Sequence, residues 1–234
     1  MQDLLNLEAA LYIVATPIGN MEDITLRALK ILRAVEFIAC EDTRNTGQLL
    51  KQFNLNKKKL ISYHNFNEAN RVEELLTLIK QGNPIALVSD AGTPLISDPG
   101  YKIVNKAIEL GIKIIPIPGP SAFLTALIAS GFDLNEFVFL GFPPPKKGRR
   151  KFLEKIGNYK CTVVLYESSH KILRLITELQ DIIGNNRNIC IAREMTKIYE
   201  EFIRGNLSHC VNYLSQKSSI KGEFVIIIDK DRWI

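Results

Sequence analysis

Three short strand-like runs, Leu11–Ala15, Ile85–Val88 and Lys113–Ile117, each stop at a loop dense in glycine and proline. Short apolar runs bounded by turn signals read as buried strands. The loops are Thr16-Pro-Ile-Gly-Asn20, Ser89-Asp-Ala-Gly-Thr-Pro-Leu-Ile-Ser-Asp-Pro-Gly100 and Pro118-Gly-Pro-Ser-Ala122. The middle loop holds two Gly, two Pro, two Ser, one Thr and two Asp, and a helical period starts at Tyr101. Turn chemistry at the C-terminal ends of parallel strands is where open α/β sheets bind ligands. The three loops therefore predict one composite pocket for a small organic ligand.

The rest of the chain alternates in the same way. Strands are expected at Phe37–Cys40 and Lys59–Ser62. Helices are expected around Ile24–Val35, where Ile24, Ala28, Ile31, Leu32 and Val35 share a face, over Thr43–Lys51, around Val72–Ile79 and over Tyr101–Leu110. About five βα units in the first half argue for an all-parallel sheet with right-handed crossovers. The second half reads as a helix at Ser121–Ser130, a strand at Phe137–Leu140, a helix to about Gly157, and a strand at Cys161–Tyr166. A helix follows over Ile172–Ile183, then a strand at Asn188–Ala192 and strands at Glu200–Gly205 and Glu223–Asp229 around a short helix at Leu207–Leu214. Strands this close together imply some antiparallel pairing. The fold class is α/β with two domains, residues 1–118 carrying a parallel sheet and residues 119–234 a mixed one.

Length, at 234 residues, and an apolar share of 46% suit a soluble globular protein. No apolar run reaches the roughly 18 residues needed to span a bilayer, so no membrane association is expected. Met1–Glu8 is acidic and lacks a cationic segment, unlike a secretory signal, and the expected location is the cytoplasm. Cys40, Cys161, Cys190 and Cys210 are scattered without C-x-x-C spacing and read as buried free thiols. With His64, His170 and His209 they make no zinc set, so no metal is expected.

The net charge of +5 is concentrated in two places. Lys57-Lys-Lys59 reads as a short exposed run. Lys146-Lys-Gly-Arg-Arg-Lys151 puts five cations into six residues behind the stiff Pro143-Pro-Pro145. A stiff cationic loop presents charge to phosphates, so Lys146, Lys147, Arg149, Arg150 and Lys151 are candidate RNA contacts.

The usual nucleotide motifs are missing. Neither G-x-G-x-x-G nor G-x-x-x-x-G-K-[ST] occurs, which disfavours a dinucleotide fold of the usual kind and a P-loop NTPase. The pocket loops carry few cations, so a ligand with little or no phosphate fits better. No G-x-S-x-G elbow exists, and Ser121 suits a helix N-cap. Polar clusters follow four other strands: Cys40-Glu-Asp-Thr-Arg44, Tyr63-His-Asn-Phe-Asn-Glu68, Tyr166-Glu-Ser-Ser-His170 and Ala192-Arg-Glu-Met-Thr-Lys197. Each alone reads as helix capping, by Asp42 or Thr43 and by Ser168 or Ser169. Together they point to one rim of a doubly wound sheet, on which Arg44, Arg193 and Lys197 are placed to hold an anionic substrate.

These segments, with Glu22-Asp23, Gly141-Phe-Pro, Arg204-Gly205 and Lys221-Gly-Glu223, resemble the tetrapyrrole methylase superfamily, the class III S-adenosylmethionine-dependent methyltransferases. Within it the resemblance is to the branch that methylates ribosomal RNA, and it runs in order from about residue 11 to residue 229. It implies two α/β domains with S-adenosylmethionine in the cleft between them, a homodimer, and 2′-O-methylation of a cytidine in the decoding region of small-subunit (16S) ribosomal RNA, as free RNA or in the assembled 30S subunit. The family's cofactor loops fall on Pro17, Ile18 and Gly19, on Gly92, Thr93, Pro94 and Ile96, on Ser121 and Ala122, and near Tyr166 and Ala192. Family members usually continue past the Gly-Glu strand, whereas this chain stops at Trp233-Ile234, which bears on RNA contacts made by such an extension.

A ribose hydroxyl is a weak acid, so a base that takes its proton late helps methyl transfer, while positioning supplies much of the rate. The candidate bases are Glu41, Asp42, His64 and Asp98, of which Asp42 or His64 is favoured, with Arg44 on the neighbouring phosphate. A small-molecule methyltransferase of the same superfamily, acting on a tetrapyrrole precursor, is the alternative. It has no need of the Lys146–Lys151 loop.

Overall fold

The computed structural model describes residues 7–230. The readings on Met1–Asn6 and on Trp233-Ile234 lie outside the described residues. The chain divides into two compact units, the first ending at Ser121 and the second beginning at Ala122.

In the first unit five strands, β1 (Leu11–Val14), β2 (Phe37–Cys40), β3 (Lys59–Ser62), β4 (Ile85–Val88) and β5 (Ile114–Ile117), form one sheet in the order β3-β2-β4-β1-β5. Every pairing is parallel. Four helices connect the strands: α1 (Leu26–Ala34), α2 (Thr43–Gln52), α3 (Glu68–Lys80) and α4 (Tyr101–Glu109). The period-two alternation of each strand sends its side chains to both faces. Tyr12, Val14, Ile38, Cys40, Ala86 and Val88 meet Ala28, Ile31 and Leu32 of α1 and Leu50 of α2. Leu11, Ala39, Ile85 and Leu87 meet Val72, Leu75, Leu76 and Ile79 of α3 and Ile103 and Ala107 of α4. Each fully buried Leu, Ile or Val contributes roughly 1.5–3 kcal/mol, which is why short four-residue strands suffice here. Helix starts are set locally: Thr25 Oγ1 accepts the Ala28 N–H at 3.0 Å, and Asp42 caps α2.

This winding places the pocket. The chain leaves β1 toward α1 on one face and leaves β4 toward α4 on the other. Neighbouring strand ends whose connections diverge to opposite faces leave a crevice at the C-terminal edge of the sheet.

The second unit contains α5 (Ala122–Ser130), β6 (Phe137–Phe139), α6 (Arg149–Gly157), β7 (Thr162–Ser168), α7 (Ile172–Ile183), β8 (Asn188–Arg193), β9 (Glu201–Asn206), α8 (Leu207–Ser215) and β10 (Glu223–Ile228). The sheet order is β6-β7-β10-β8-β9. Only the β6–β7 pairing is parallel among these. Leu153 and Ile156 of α6, Leu175, Ile176 and Leu179 of α7, and Leu207, Cys210 and Leu214 of α8 cover one face of this sheet. Helix α5 packs against β7, β8 and β10.

The sequence expectations differ from the structure in four places. The four polar clusters do not share one rim: two follow β2 and β3 of the first sheet, and two follow β7 and β8 of the second. Each sheet has its own C-terminal edge, and strand-end composition alone does not say which sheet a strand joins. Strand β7 runs on through Ser168 because β10 continues to pair with it, Glu223 opposite Ser168. Ser168 and Ser169 therefore do not cap α7, whose N-cap is Lys171 with no side-chain hydrogen bond. Finally, Lys58 is not a solvated charge: its Nζ donates to the carbonyls of Arg33 and Val35, both at 2.7 Å, where α1 ends with acceptors to spare.

Candidate functional site

The three glycine- and proline-bearing loops follow β1, β4 and β5, which are neighbours in the sheet, and they touch. Thr16 N–H donates to the Gly92 carbonyl at 2.9 Å and Gly92 N–H returns to Thr16 at 3.0 Å. Thr93 Oγ1 donates to the Pro120 carbonyl at 3.0 Å, tying the second loop to the third. Thr16 Oγ1 donates to the Ser89 carbonyl. The approach is too close for side chains. A Cβ at Gly119 would stand 2.9 Å from the Ala15 Cβ. Gly92 has φ +78°, and a Cβ there would stand 3.2 Å from Ile18 Cγ2. Pro17, Ile18 and Gly19 lie in the first loop, Thr93, Pro94 and Ile96 in the second, and Ser121 closes the third just before Ala122 opens α5. Leu95 and Ser97 are held at φ +72° and +69°, uncommon for side-chain-bearing residues, so the second loop stores strain.

Beside this pocket, β2 and β4 pair with Cys40 opposite Val88. Continuing that register brings Asp42 next to Asp90, whose Oδ1 accepts the Asp42 N–H at 3.1 Å and whose Oδ2 accepts Asn45 Nδ2 at 2.8 Å. Asp42 itself receives the Arg44 backbone N–H at 2.8 Å and the Arg44 guanidinium fork, Nη2 to Oδ2 at 2.6 Å. The Arg44 fork and backbone N–H hold the Asp42 carboxyl down at about 2. Asp98 goes the other way: burial first, then the negative charge of Glu41, pushes it up to about 6, with the Ser89 hydroxyl opposing. Burial, and then the charge of Asp90, raises Glu41 as well. Glu41, Asp42 and Asp98 thus belong to one electrostatic neighbourhood, with His64 near enough to act on Glu41. His64 Nδ1 is buried without a hydrogen-bond partner among the described residues, and the ring meets exposed Phe66 edge-on at 6.0 Å between centroids.

Asp90 and Glu68 are absent from the sequence-derived candidates. Asp90 stands in the first polar position pair after β4, level with Asp42 after β2, a signal that needs the strand order to be read. Glu68 is 6% exposed. It accepts from Tyr63 Oη at 2.7 Å and from the Gly100 N–H at 3.2 Å, so it links α3 to the end of the second loop. Among the described residues no group of three or more His, Cys, Asp or Glu side chains is set to hold a metal ion, and no helix is long and apolar enough to cross a membrane. All four cysteines are free thiols, with Cys161 half-buried and the others buried.

In the second unit, Tyr166 lies near the end of β7 and Ala192 near the end of β8. The Tyr166 ring contacts Phe139 and Phe142 at 5.0 and 5.4 Å, and Ala192 is buried. Arg193 and Lys197 are engaged within the unit. Arg193 Nη1 donates to Glu201 at 3.1 Å and its Nε to the Lys221 carbonyl at 2.7 Å. Lys197 Nζ bridges Glu194 and Glu223 at 3.0 and 2.8 Å.

The basic loop splits into two classes of cation. Lys146, Lys147, Arg150 and Lys151 are exposed. Arg149 is withdrawn from the surface at 5% exposure. Its Nε donates to Glu178 of α7 at 2.7 Å, its Nη1 donates to the Pro144 carbonyl at 3.2 Å, and Glu167 stands 3.7 Å away. A guanidinium so enclosed needs these acceptors to offset its lost hydration. Arg149 is therefore committed to contacts within the second unit. It fixes the loop that carries the exposed Lys146, Lys147, Arg150 and Lys151.

The family model for tetrapyrrole (corrin/porphyrin) methylases matches residues 10–210. A relative from Hydrogenobaculum sp., named ribosomal RNA small subunit methyltransferase I, is 46% identical over 94% of this chain and 96% of its own length. A relative of the same name from Halalkalibacterium halodurans is 48% identical over 95% of this chain and 76% of its own length. Among solved structures, the uroporphyrin-III-C-methyltransferase of Thermus thermophilus superposes with a TM-score of 0.63 at 20% identity, covering 94% of each chain.

Proposed function

The chain belongs to the tetrapyrrole methylase family, and from that membership we propose that it transfers a methyl group from S-adenosylmethionine to the 2′-oxygen of a cytidine in the decoding region of small-subunit ribosomal RNA. The observation that carries the reading is the identity of nearly half of all positions, over almost the whole chain, with relatives named for small-subunit ribosomal RNA methylation. The likeness to a uroporphyrin enzyme, at 20% identity, speaks to the fold alone. The exposed Lys146, Lys147, Arg150 and Lys151 suit a polyanionic substrate.

The residues of the first-unit pocket fit the methyl donor. It carries a carboxylate, an adenine and a ribose but no phosphate, and the loops 16–20, 89–100 and 118–121 offer backbone N–H and C=O groups with no Lys or Arg. When bound, that donor supplies an electrophilic methyl carbon on a sulfonium. Pro17–Gly19, Gly92–Pro94, Ile96 and Ser121 would hold it. The protein's own part is to fix the 2′-oxygen and accept its proton. Asp42 is a poor acceptor, since its oxygens are committed to Arg44 and to capping α2. Asp98 and His64 are better suited: the Asp98 carboxylate is more basic than an ordinary one and still ionised for the most part above pH 7. The same reading makes the protein a cytoplasmic homodimer. Leu124 and Ile128 of α5 stand exposed in the single chain and offer an apolar face to a second copy.

The experiment is transfer of labelled methyl from S-adenosylmethionine to small ribosomal subunits from a strain lacking this protein, followed by nucleoside analysis. Label in 2′-O-methylcytidine is the expected result. Label in another nucleoside, or none, sinks the reading.

A further inference from the structure

We infer that the second unit carries a discrete phosphate site between α6 and α7, a cavity of about 340 Å³ that takes one backbone phosphate of the RNA substrate. The inference rests on the RNA reading above for its ligand's source, and on the cavity for its chemistry. Lys146, Arg149 and Arg150 line it from the basic loop and α6, and Arg174, Glu178 and Asp181 from α7. Arg174 comes from a helix outside the basic run and does not stand out in the sequence.

The hydrogen bonds show how the cations are prepared. Glu178 accepts Arg149 Nε with one oxygen at 2.7 Å and Arg174 Nε with the other at 2.8 Å. One carboxylate thereby orients two guanidinium groups and is itself neutralised. Arg150 spends its Nε on Glu154, one turn along α6. In both exposed arginines the terminal nitrogens make no hydrogen bond among the described residues, and these are the atoms that grip a phosphate bidentately. Lys146 Nζ makes no ion pair among the described residues. Behind the lining, Arg149 Nη2 and the Glu167 oxygen 3.7 Å from Arg149 Nη1 are both buried and have no hydrogen-bond partner among the described residues. Helix α6 begins at the same place, its N-cap Gly148 offering no side chain to the first-turn amides. Three exposed cations on one cavity, beside a helix start with no side-chain cap, favour a bound anion. Asp181 opposes it and limits affinity.

Two titrations of the full chain test this. Inorganic phosphate is followed through the arginine Nε–H resonances by NMR, and binding of a single-stranded RNA from the decoding region is followed as a function of salt. The expected result is saturable shifts of the Arg150 and Arg174 signals with phosphate, lost in Arg174→Gln. In the RNA titration Arg174→Gln should flatten the slope of log K against log salt by about 0.7, the share of one phosphate contact on a single strand. Asp181→Asn should steepen affinity in the opposite direction, and cofactor affinity should stay unchanged in both variants. An Arg174→Gln protein with wild-type phosphate shifts and an unchanged slope overturns the site, even if methylation proceeds. Phosphate binding that depends on Arg174 in a protein that neither binds nor methylates this RNA keeps the anion site, ascribes it to a free phosphate ligand, and overturns the RNA assignment.

Discussion

Thr16 and Gly92 exchange two backbone hydrogen bonds, at 2.9 and 3.0 Å, across loops that leave two parallel strands. The strands run side by side, yet just beyond their ends the chains meet in an antiparallel bridge. That reversal turns both loops over the crevice, and it is possible only because Gly92 takes φ +78° and leaves its side-chain position empty.

Gly92→Ala should therefore lose stability twice, once from the backbone and once from the contact with Ile18, for a total of about 2 kcal/mol. Gly111→Ala is the control: φ is +66° and nothing lies within 4 Å of the added methyl, so it should lose about 1 kcal/mol. Urea unfolding gives both values, and calorimetry should find weaker S-adenosylmethionine binding in the first variant only.

Asp98 predicts a pH dependence. Its folded pKa, about 6, lies above the ordinary carboxyl value of 3.8, so the native state holds the proton more tightly than the unfolded one. Stability from this group is full below pH 4 and falls as the pH rises toward 6. Asp98→Asn should match the wild type at pH 4 and exceed it by about 2 kcal/mol at pH 7.5. If Asp98 takes the acceptor's proton, the stabilised variant should also have a much lower single-turnover methylation rate with saturating cofactor.

Asp42 separates capping from chemistry. Asp42→Ala removes the α2 cap and should cost about 1 kcal/mol, while Asp42→Ser restores most of it. Because Arg44 holds Asp42 at about 2, the Ser variant should methylate at close to the wild-type single-turnover rate. A rate loss beyond a hundredfold in Asp42→Ser would return Asp42 to the role of base.

Glu68 is a buried joint between Tyr63, Gly100 and Lys102. Glu68→Ala leaves a buried hydroxyl and a backbone N–H without acceptors and should destabilise by about 3 kcal/mol, whereas Tyr63→Phe should cost about 1 kcal/mol. Thermal denaturation of the pair, with the double variant, measures the coupling.

Most of the fold was legible because most strands end in turn chemistry and most helices show a single apolar face. Phe37–Cys40, Lys59–Ser62 and Ile85–Val88 appear with the expected bounds. What stayed hidden depends on pairing rather than on local sequence. The end of β7 is set by β10, more than fifty residues away in the chain. The separation of the polar clusters onto two sheets follows from strand order, and the level placement of Asp42 and Asp90 follows from register. Arg149 reads as one more cation in a basic run, and only the fold reveals that Glu178 and Pro144 draw it inside.

The place of β1 has a consequence for how the chain reaches its native state. This strand is made first, yet its partners are Ile85–Leu87 on one side and Ile114–Ile117 on the other. On the ribosome, Leu11–Val14 must wait unpaired until β4 emerges about seventy residues later, and β5 on its other side later still, while β2 and β3 can already pair. Contacts so distant in sequence slow folding and leave an apolar strand exposed in the meantime. The first unit should thus acquire ligand-binding competence late and all at once, when β5 docks. A chain truncated before Ile114 should retain helical content but bind no cofactor.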